Sequence, residues 1–220
     1  EKNPQGKTLN MKLAQLLVDV FRSQSVAVLG NVVVAMGLAA LIAFVYQHQT
    51  GEPLMNSENI AYQLHRIDPL DGSLWFAAIA GVWLFCSGII SGYFDNRSNY
   101  LNMRMRLAQH PLLKKLMSEK SRVKFANYMH ENYGSLIGNF CFGMLLGLTG
   151  LVGYLTHLPL DIRHVAFSSA NLGYSAVSGQ FAYPFFLQCI AFVLLIGLVN
   201  LIVSFSLTLW VALRSLNTEI

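Results

Sequence analysis

The chain has 220 residues, of which 54% are hydrophobic and 12% charged, whereas soluble domains carry about a quarter charged residues. That deficit excludes an ordinary water-soluble enzyme or binding module and points to a surface solvated largely by lipid. A net charge of +4 does not by itself select an acidic partner, because in a membrane chain the placement of Lys and Arg matters more than their sum.

Residues 1–24 are polar, with Met11, Leu13, Leu16, Leu17, Val20 and Phe21 at a spacing that predicts an amphipathic helix lying against the bilayer or another helix. The first twenty residues, beginning at Glu1, lack the apolar core and cleavage site of a signal peptide, and the chain is expected to be the C-terminal part of a longer protein. A first span follows from Val26 to Tyr46, 21 uncharged residues. A second runs from Leu74 to Phe94 between Asp71 and Asp95, with Trp75 and Tyr93 near its ends, where aromatic rings favour the interface. Ser135 to Thr156 are 22 residues without a formal charge, about the ~30 Å of a hydrocarbon core at ~1.5 Å per residue. The fourth, Phe185 to Leu213, has 29 residues and must tilt or project. Cys86, Cys141 and Cys189 fall one in each of three runs, as buried small hydrophobes rather than a metal set or disulfide framework.

The predicted fold is an all-α membrane protein of four transmembrane helices, arranged as two repeated hairpins with amphipathic cytoplasmic helices. Its parts are a cytoplasmic lead-in (1–24), a first hairpin (25–96), a basic cytoplasmic connection (97–133) and a second hairpin (134–220). Residues 1–24 hold four Lys or Arg, residues 97–124 hold eight, and Arg214 follows the last span; only Arg66 and Arg163 fall elsewhere. Cytoplasmic loops retain Lys and Arg, so both termini and the 97–124 loop are expected on the cytoplasmic side of a bacterial inner membrane, with 47–73 and 157–183 opposite. The repeat rests on Val28-Leu-Gly-Asn31 and Leu136-Ile-Gly-Asn139, each followed by an apolar run and then Pro53-Leu54 or Pro159-Leu160. Two spans per copy make the repeats parallel about the membrane normal.

The polar stretch behind the third run is the first place to seek a site. Asp161, Arg163 and His164 crowd the membrane edge, where ionisable groups must be hydrated or paired. His157, Asp161 and His164 resemble a metal set, but Pro159 interrupts any helix joining them, and the expectation is a membrane-edge turn in which Asp161 pairs with Arg163 and the histidines are hydrated, with no metal and no cofactor. Residues 165–179, small and weakly polar, read either as a re-entrant helix, with Asp161 and Arg163 at the mouth of a polar vestibule, or as a surface loop. Asn31, Asn139 and Asn200 lie inside spans and read as interhelical hydrogen-bonding groups before ligands. Gly88-x-x-x-Gly92, Gly143-x-x-x-Gly147 and Ala35-x-x-x-Ala39-x-x-x-Ala43 predict close helix packing, within one chain or in a homo- or hetero-oligomer. Seven cations from Arg104 to Lys124, interleaved with Leu and Met and divided by Pro111, predict short amphipathic helices on anionic lipid. Phe125 and Tyr128 fall beyond them and offer no base-stacking platform, which argues against a nucleic-acid partner.

Phe21-Arg-Ser-Gln-Ser-Val-Ala-Val-Leu-Gly-Asn31, Ala77-Ala-Ile-Ala-Gly-Val82 with Ser87-Gly88 and Gly92-Tyr-Phe-Asp-Asn96, and Leu158-Pro-Leu-Asp-Ile-Arg-His-Val165 resemble the bacterial family named for site-specific recombinase transmembrane proteins. The resemblance covers about residues 16–178, and implies a longer protein with a soluble N-terminal region as partner. The name implies DNA recombination. Tyrosine-type strand exchange gathers Arg and His around a phosphate beside a Tyr nucleophile, for which Arg163, His164 and Tyr174 are the local candidates, on the side away from DNA. The residues themselves favour a noncatalytic membrane scaffold or translocation-type domain with a polar site at its extracytoplasmic edge; the recombinase is the alternative.

Overall fold

The computed structural model describes residues 4–158 and 160–216, with the side chains of residues 4–14, 16, 17, 20, 23, 215 and 216 outside that description. The predicted stripe Met11, Leu13, Leu16, Leu17 and Val20, and the interruption at Pro159, therefore lie outside the described residues. The helices are α1 Pro4–Thr50, α2 Ser57–Ile67, α3 Ser73–Tyr100, α4 Met103–Gln109, α5 Pro111–Leu116, α6 Glu119–Thr156, α7 Val165–Gly179 and α8 Tyr183–Leu216, with a 3-10 turn, Pro69–Asp71, between α2 and α3. No strand occurs among the described residues. Gln24–Thr50, Ser73–Tyr100, Glu119–Thr156 and Tyr183–Arg214 are long and apolar enough to cross a membrane.

Two features depart from the expected layout. The lead-in and first span are one helix, since no proline follows Pro4 before Thr50 to break the backbone ladder. Each connection expected outside the membrane holds a helix, so both halves read long, short, long rather than as plain hairpins. In α2, Asn56 caps the first turn by accepting from the Asn59 amide at 2.8 Å, and Ile60 and Ile67, two turns apart, are its buried residues, the spacing of a one-sided apolar stripe.

The chain forms two compact units, one from residues up to Gly81 together with those from Ile162 onward, the other Val82–Asp161. In the second, α3 and α6 run antiparallel: Trp83 Nε1 donates to Thr149 Oγ1 at 2.9 Å, Ser87 Oγ to the Gly138 carbonyl at 3.1 Å, and the Gly134 amide to Asp95 Oδ1 at 2.9 Å. The close approach comes at Gly134 and Gly138, where added Cβ atoms would collide with Ser91 and Asp95. Gly88, Gly92, Gly143 and Gly147 have open space instead, which corrects their expected role between the helices of this chain: spacing four apart marks a smooth face but not what covers it. Arg122 Nε donates to the Ala108 carbonyl at 2.6 Å and ties α4 to α6, 13 residues before the uncharged run of α6 starts at Ser135.

In the first unit, α7 runs in the direction of α1. Val165 and Val28 both press on Gly197, Gly173 meets Met36 and Ala39, and the Met55 amide donates to Ser178 Oγ at 3.3 Å. The segment 165–179 is thus a packed helix, and Ala39 of the predicted alanine stripe is where α1 receives it. The initial part of α3 runs in the direction of α8, Ala77 beside Asn200 and Gly81 beside Val203. The core of this unit joins Val32, Ile67, Ala77, Val165, Leu172, Cys189, Val193 and Ile196.

A Cβ on Gly173 would strike the Met36 carbonyl oxygen, and backbone cannot move aside as a flexible side chain can. Gly173→Ala should lower unfolding stability by about 1–3 kcal/mol, the usual cost of overpacking, with a reduced thermal midpoint in detergent. Gly143→Ala, into open space, should leave it unchanged or raised by up to ~1 kcal/mol. Equal effects would contradict the α1–α7 contact.

Candidate functional site

The backbone before α7 is extended, His164 having φ −103° and ψ 139°, so the first amides of α7 have no helical partner and need side-chain acceptors. Two are supplied. His164 Nδ1 accepts from the Ala166 amide at 3.4 Å, and Asn200 Oδ1 accepts from the Val165 amide at 3.1 Å. The same Asn200 side chain donates through Nδ2 to the Ala77 carbonyl at 2.7 Å and the Arg163 carbonyl at 3.1 Å. One amide of α8 therefore joins three pieces of backbone, namely the extended strand before α7, the first residue of α7 and the start of α3. Ser169 Oγ adds a bond to the Val165 carbonyl at 2.6 Å.

The knot is dry. Asn200 is 1% exposed, Arg163 7% and His164 8%. The Arg163 guanidinium lies over the Phe76 ring, 5.5 Å from its centroid, a cation–π placement that strengthens on desolvation. The His164 ring meets Phe167 edge-on at 6.0 Å. Accepting at Nδ1 leaves its proton on Nε2, the neutral tautomer, and burial pushes the pKa down from 6.5 to about 4, because removal from water penalises the charged imidazolium. His164 lies in none of the four candidate spans.

Asn200 is 17 residues after Tyr183 and 14 before Arg214, about 25 Å and 21 Å along the helix. Arg163 and His164 consequently sit level with the middle of α8. His164 is therefore buried in the protein rather than hydrated as expected. The charge pattern shows where an apolar run stops, but not that the residues after it pack against other helices. Of the residues singled out in the sequence, the structure brings Arg163, His164 and Asn200 together. Asp161 is half-buried in the other compact unit, and Asn31 and Asn139 are exposed. Among the described residues no three His, Cys, Asp or Glu are grouped to hold a metal ion.

Sequence reasoning missed Phe76 and Ala77, which complete the knot from the start of α3. It also missed the break before them: Asp68 accepts from the Leu70 amide at 2.9 Å, Pro69 opens the 3-10 turn, and Gly72 closes it in the left-handed region at φ 75°. Asp-Pro-Leu-Asp-Gly is a legible turn signal, and it marks where α3 begins.

A family model described as site-specific recombinase matches residues 2–220. No curated protein and no solved structure matches the chain.

Replacing Asn200 by Leu removes three hydrogen bonds and takes from the buried Val165 amide the acceptor it has. At ~0.6–1.7 kcal/mol for an intramembrane bond, the unfolding free energy in detergent should fall by about 2–5 kcal/mol, whereas Asn31→Leu and Asn139→Leu, at exposed positions, should remain within ~0.5 kcal/mol. A loss no larger at Asn200 would contradict the knot.

The lowered pKa of His164 makes stability depend on pH. The unfolded imidazole protonates near 6.5 and the folded one near 4, so the contribution is complete above pH 6.5 and is lost as pH falls to 4, on the order of 3 kcal/mol in all. Thermal midpoints should decline through that window, and His164→Asn, which keeps a capping acceptor but does not titrate, should flatten the decline.

Proposed function

The chain belongs to the site-specific recombinase family, and from that premise we propose that this part of it is a noncatalytic membrane domain of scaffold or translocation type. The observation that carries the reading is the burial of Arg163 and His164, with their backbone held by Asn200. Strand exchange needs cationic side chains converging on a phosphate beside a nucleophile, all open to a DNA duplex. Here the guanidinium covers a phenyl ring and the imidazole caps a helix, so both serve the fold. Among membrane proteins, a helix that begins part-way across and carries a polar knot at its start belongs to re-entrant and discontinuous architectures, which recur in translocation domains.

In this reading the four long helices cross a bacterial inner membrane as two related helical halves, with both termini and the basic connection cytoplasmic, as the asymmetry of Lys and Arg supports. The polar site of this reading is one buried among the helices. The base of the basic connection, near Arg97, is the place for contact with anionic lipid. Its tip is not, because α4 is tied to α6 some 13 residues, about 20 Å, beyond the uncharged run. The exposed glycine faces of α3 and α6 suit an oligomer.

The second reading is the recombination that the family description names. It requires a covalent protein–DNA intermediate through Tyr or Ser. Purified protein incubated with DNA carrying a suicide nick should give no adduct that survives denaturation. An adduct lost in Tyr174→Phe would overturn the noncatalytic reading.

A further inference from the structure

Six cations stand exposed in and just after the connection between α3 and α6: Arg104 and Arg106 on α4, Lys114 and Lys115 on α5, and Lys120 and Lys124 in the first turns of α6. Among the described residues none of the six is in an ion pair, and Glu119 is the one acidic residue from Leu101 to Lys124. Like charges this dense repel one another within the ~8 Å of physiological screening, and a surface of opposite sign is drawn to them.

Charge is only half of what this connection presents. Leu112 is 60% exposed and Leu116 79%. Four residues apart on α5, they share one face, with Lys115 between them. Large apolar side chains exposed on the four spans meet lipid in the membrane reading, but these two lie away from it. Leu116 comes three residues before α6 starts at Glu119, and Glu119 is 16 residues before the uncharged run at Ser135, about 24 Å along the helix. The bond from Arg122 Nε to the Ala108 carbonyl at 2.6 Å holds the end of α4 close to the same height. Both ends of α5 are thus fixed well above the bilayer, whose surface potential fades within a Debye length.

We propose that the outer face of α5, Leu112 and Leu116 with Lys114 and Lys115 beside them, docks an acidic amphipathic helix of a partner protein. This rests on the membrane reading of the preceding section, which sets the height of α5, and gives its scaffold side a binding surface. The observations select this occupant over three others. Anionic lipid is too far away. Nucleic acid would answer the charge alone, since phosphates gain nothing by covering leucines. A second copy of the chain would bring the same cations against themselves. A helix with apolar side chains at i, i+3 and i+4, edged by Asp and Glu, answers both features at once: its apolar face covers the leucines and its carboxylates meet the lysines.

The test uses the full chain in phosphatidylcholine nanodiscs, with empty nanodiscs as background, and the fluorescence anisotropy of two peptides of identical composition. One is a Leu/Glu helix with its leucines on one face; the other is shuffled so that no apolar face forms. The amphipathic peptide is expected to bind at least about ten-fold more tightly than the shuffled one. Leu112→Ser with Leu116→Ser should erase that difference and leave the shuffled peptide's affinity unchanged, and Leu116→Ser alone, at the more exposed position, should remove part of it if the double variant is not monodisperse. Lys114→Glu with Lys115→Glu should weaken both peptides at least ~ten-fold. Equal affinity of the two peptides for the unaltered chain, or binding of neither, would overturn the docking face. So would a short DNA duplex that binds more tightly than the amphipathic peptide and ignores the leucine changes, which would assign the surface to nucleic acid. Loss of peptide binding in phosphatidylglycerol nanodiscs would assign it to lipid instead. Protein that stays monodisperse with neither detergent nor lipid would overturn the membrane reading itself, whatever the peptides do.

Discussion

The carboxamide of Asn200 sets the arrangement around it, because it is the side chain that satisfies backbone from three separate segments at once. Without it the Val165 amide would lose its acceptor in a buried interior and the ties from α8 to the Arg163 and Ala77 carbonyls would be gone, and an unmet polar group costs more than a met one contributes. A hydroxyl could not replace it, since a Ser or Thr offers one donor, whereas the amide donates twice and accepts at the opposite end. Its position then fixes what surrounds it. α7 must begin level with the middle of α8, α3 must pass close enough for the carbonyl of its fifth residue, Ala77, to be reached, and the extended segment carrying Arg163 and His164 must lie between them. Small residues follow from the same constraint: Gly197 and Gly173 stand where α1, α7 and α8 converge, because side chains there would hold the helices apart.

Burying an arginine beside this knot is the feature that a purely apolar bundle would avoid. Its cost is moderated by two arrangements. The guanidinium lies on the face of Phe76, and His164 is kept neutral rather than adding a second positive charge. A buried charge retained in this way is weak evidence for stability in itself. It is better understood as specifying one arrangement: Arg163 can meet Phe76 only when α3 begins where it does, and α3 begins there because Pro69 and Gly72 end the preceding helix. The cation therefore couples the break in α2–α3 to the start of α7, two irregular stretches more than ninety residues apart in sequence.

How much of this was legible in the sequence depends on which physical signal carried it. The long helices were, since runs of twenty or more uncharged residues have few other solutions. So was the importance of the stretch around Arg163 and of the polar amide at Asn200. What could not be read was that they meet: Asn200 was one of three intramembrane asparagines with no feature to distinguish it from Asn31 and Asn139, which the fold leaves exposed. The burial of Arg163 and His164 was missed for a related reason. A charged pair after an apolar run is the usual mark of a membrane edge, and the small, weakly polar segment 165–179 has no strong amphipathic period to announce that it packs on both α1 and α8. The glycine pairs four apart were read as contacts, yet Gly134 and Gly138, the pair not singled out, make the contact with α3, because sequence spacing shows a smooth helix face but not which of several a neighbour will choose.

The two irregular stretches also bear on the family description. Recombination demands that arginines be free to converge on a phosphate as the substrate arrives, whereas Arg163 is immobilised by the interaction that defines the fold. Freeing it would require α7 to leave Asn200 and the Val165 amide to lose its acceptor, so substrate would have to compete with the core itself. On that physical ground the proposed noncatalytic membrane domain fits the arrangement around Asn200 better than one that cuts and rejoins DNA.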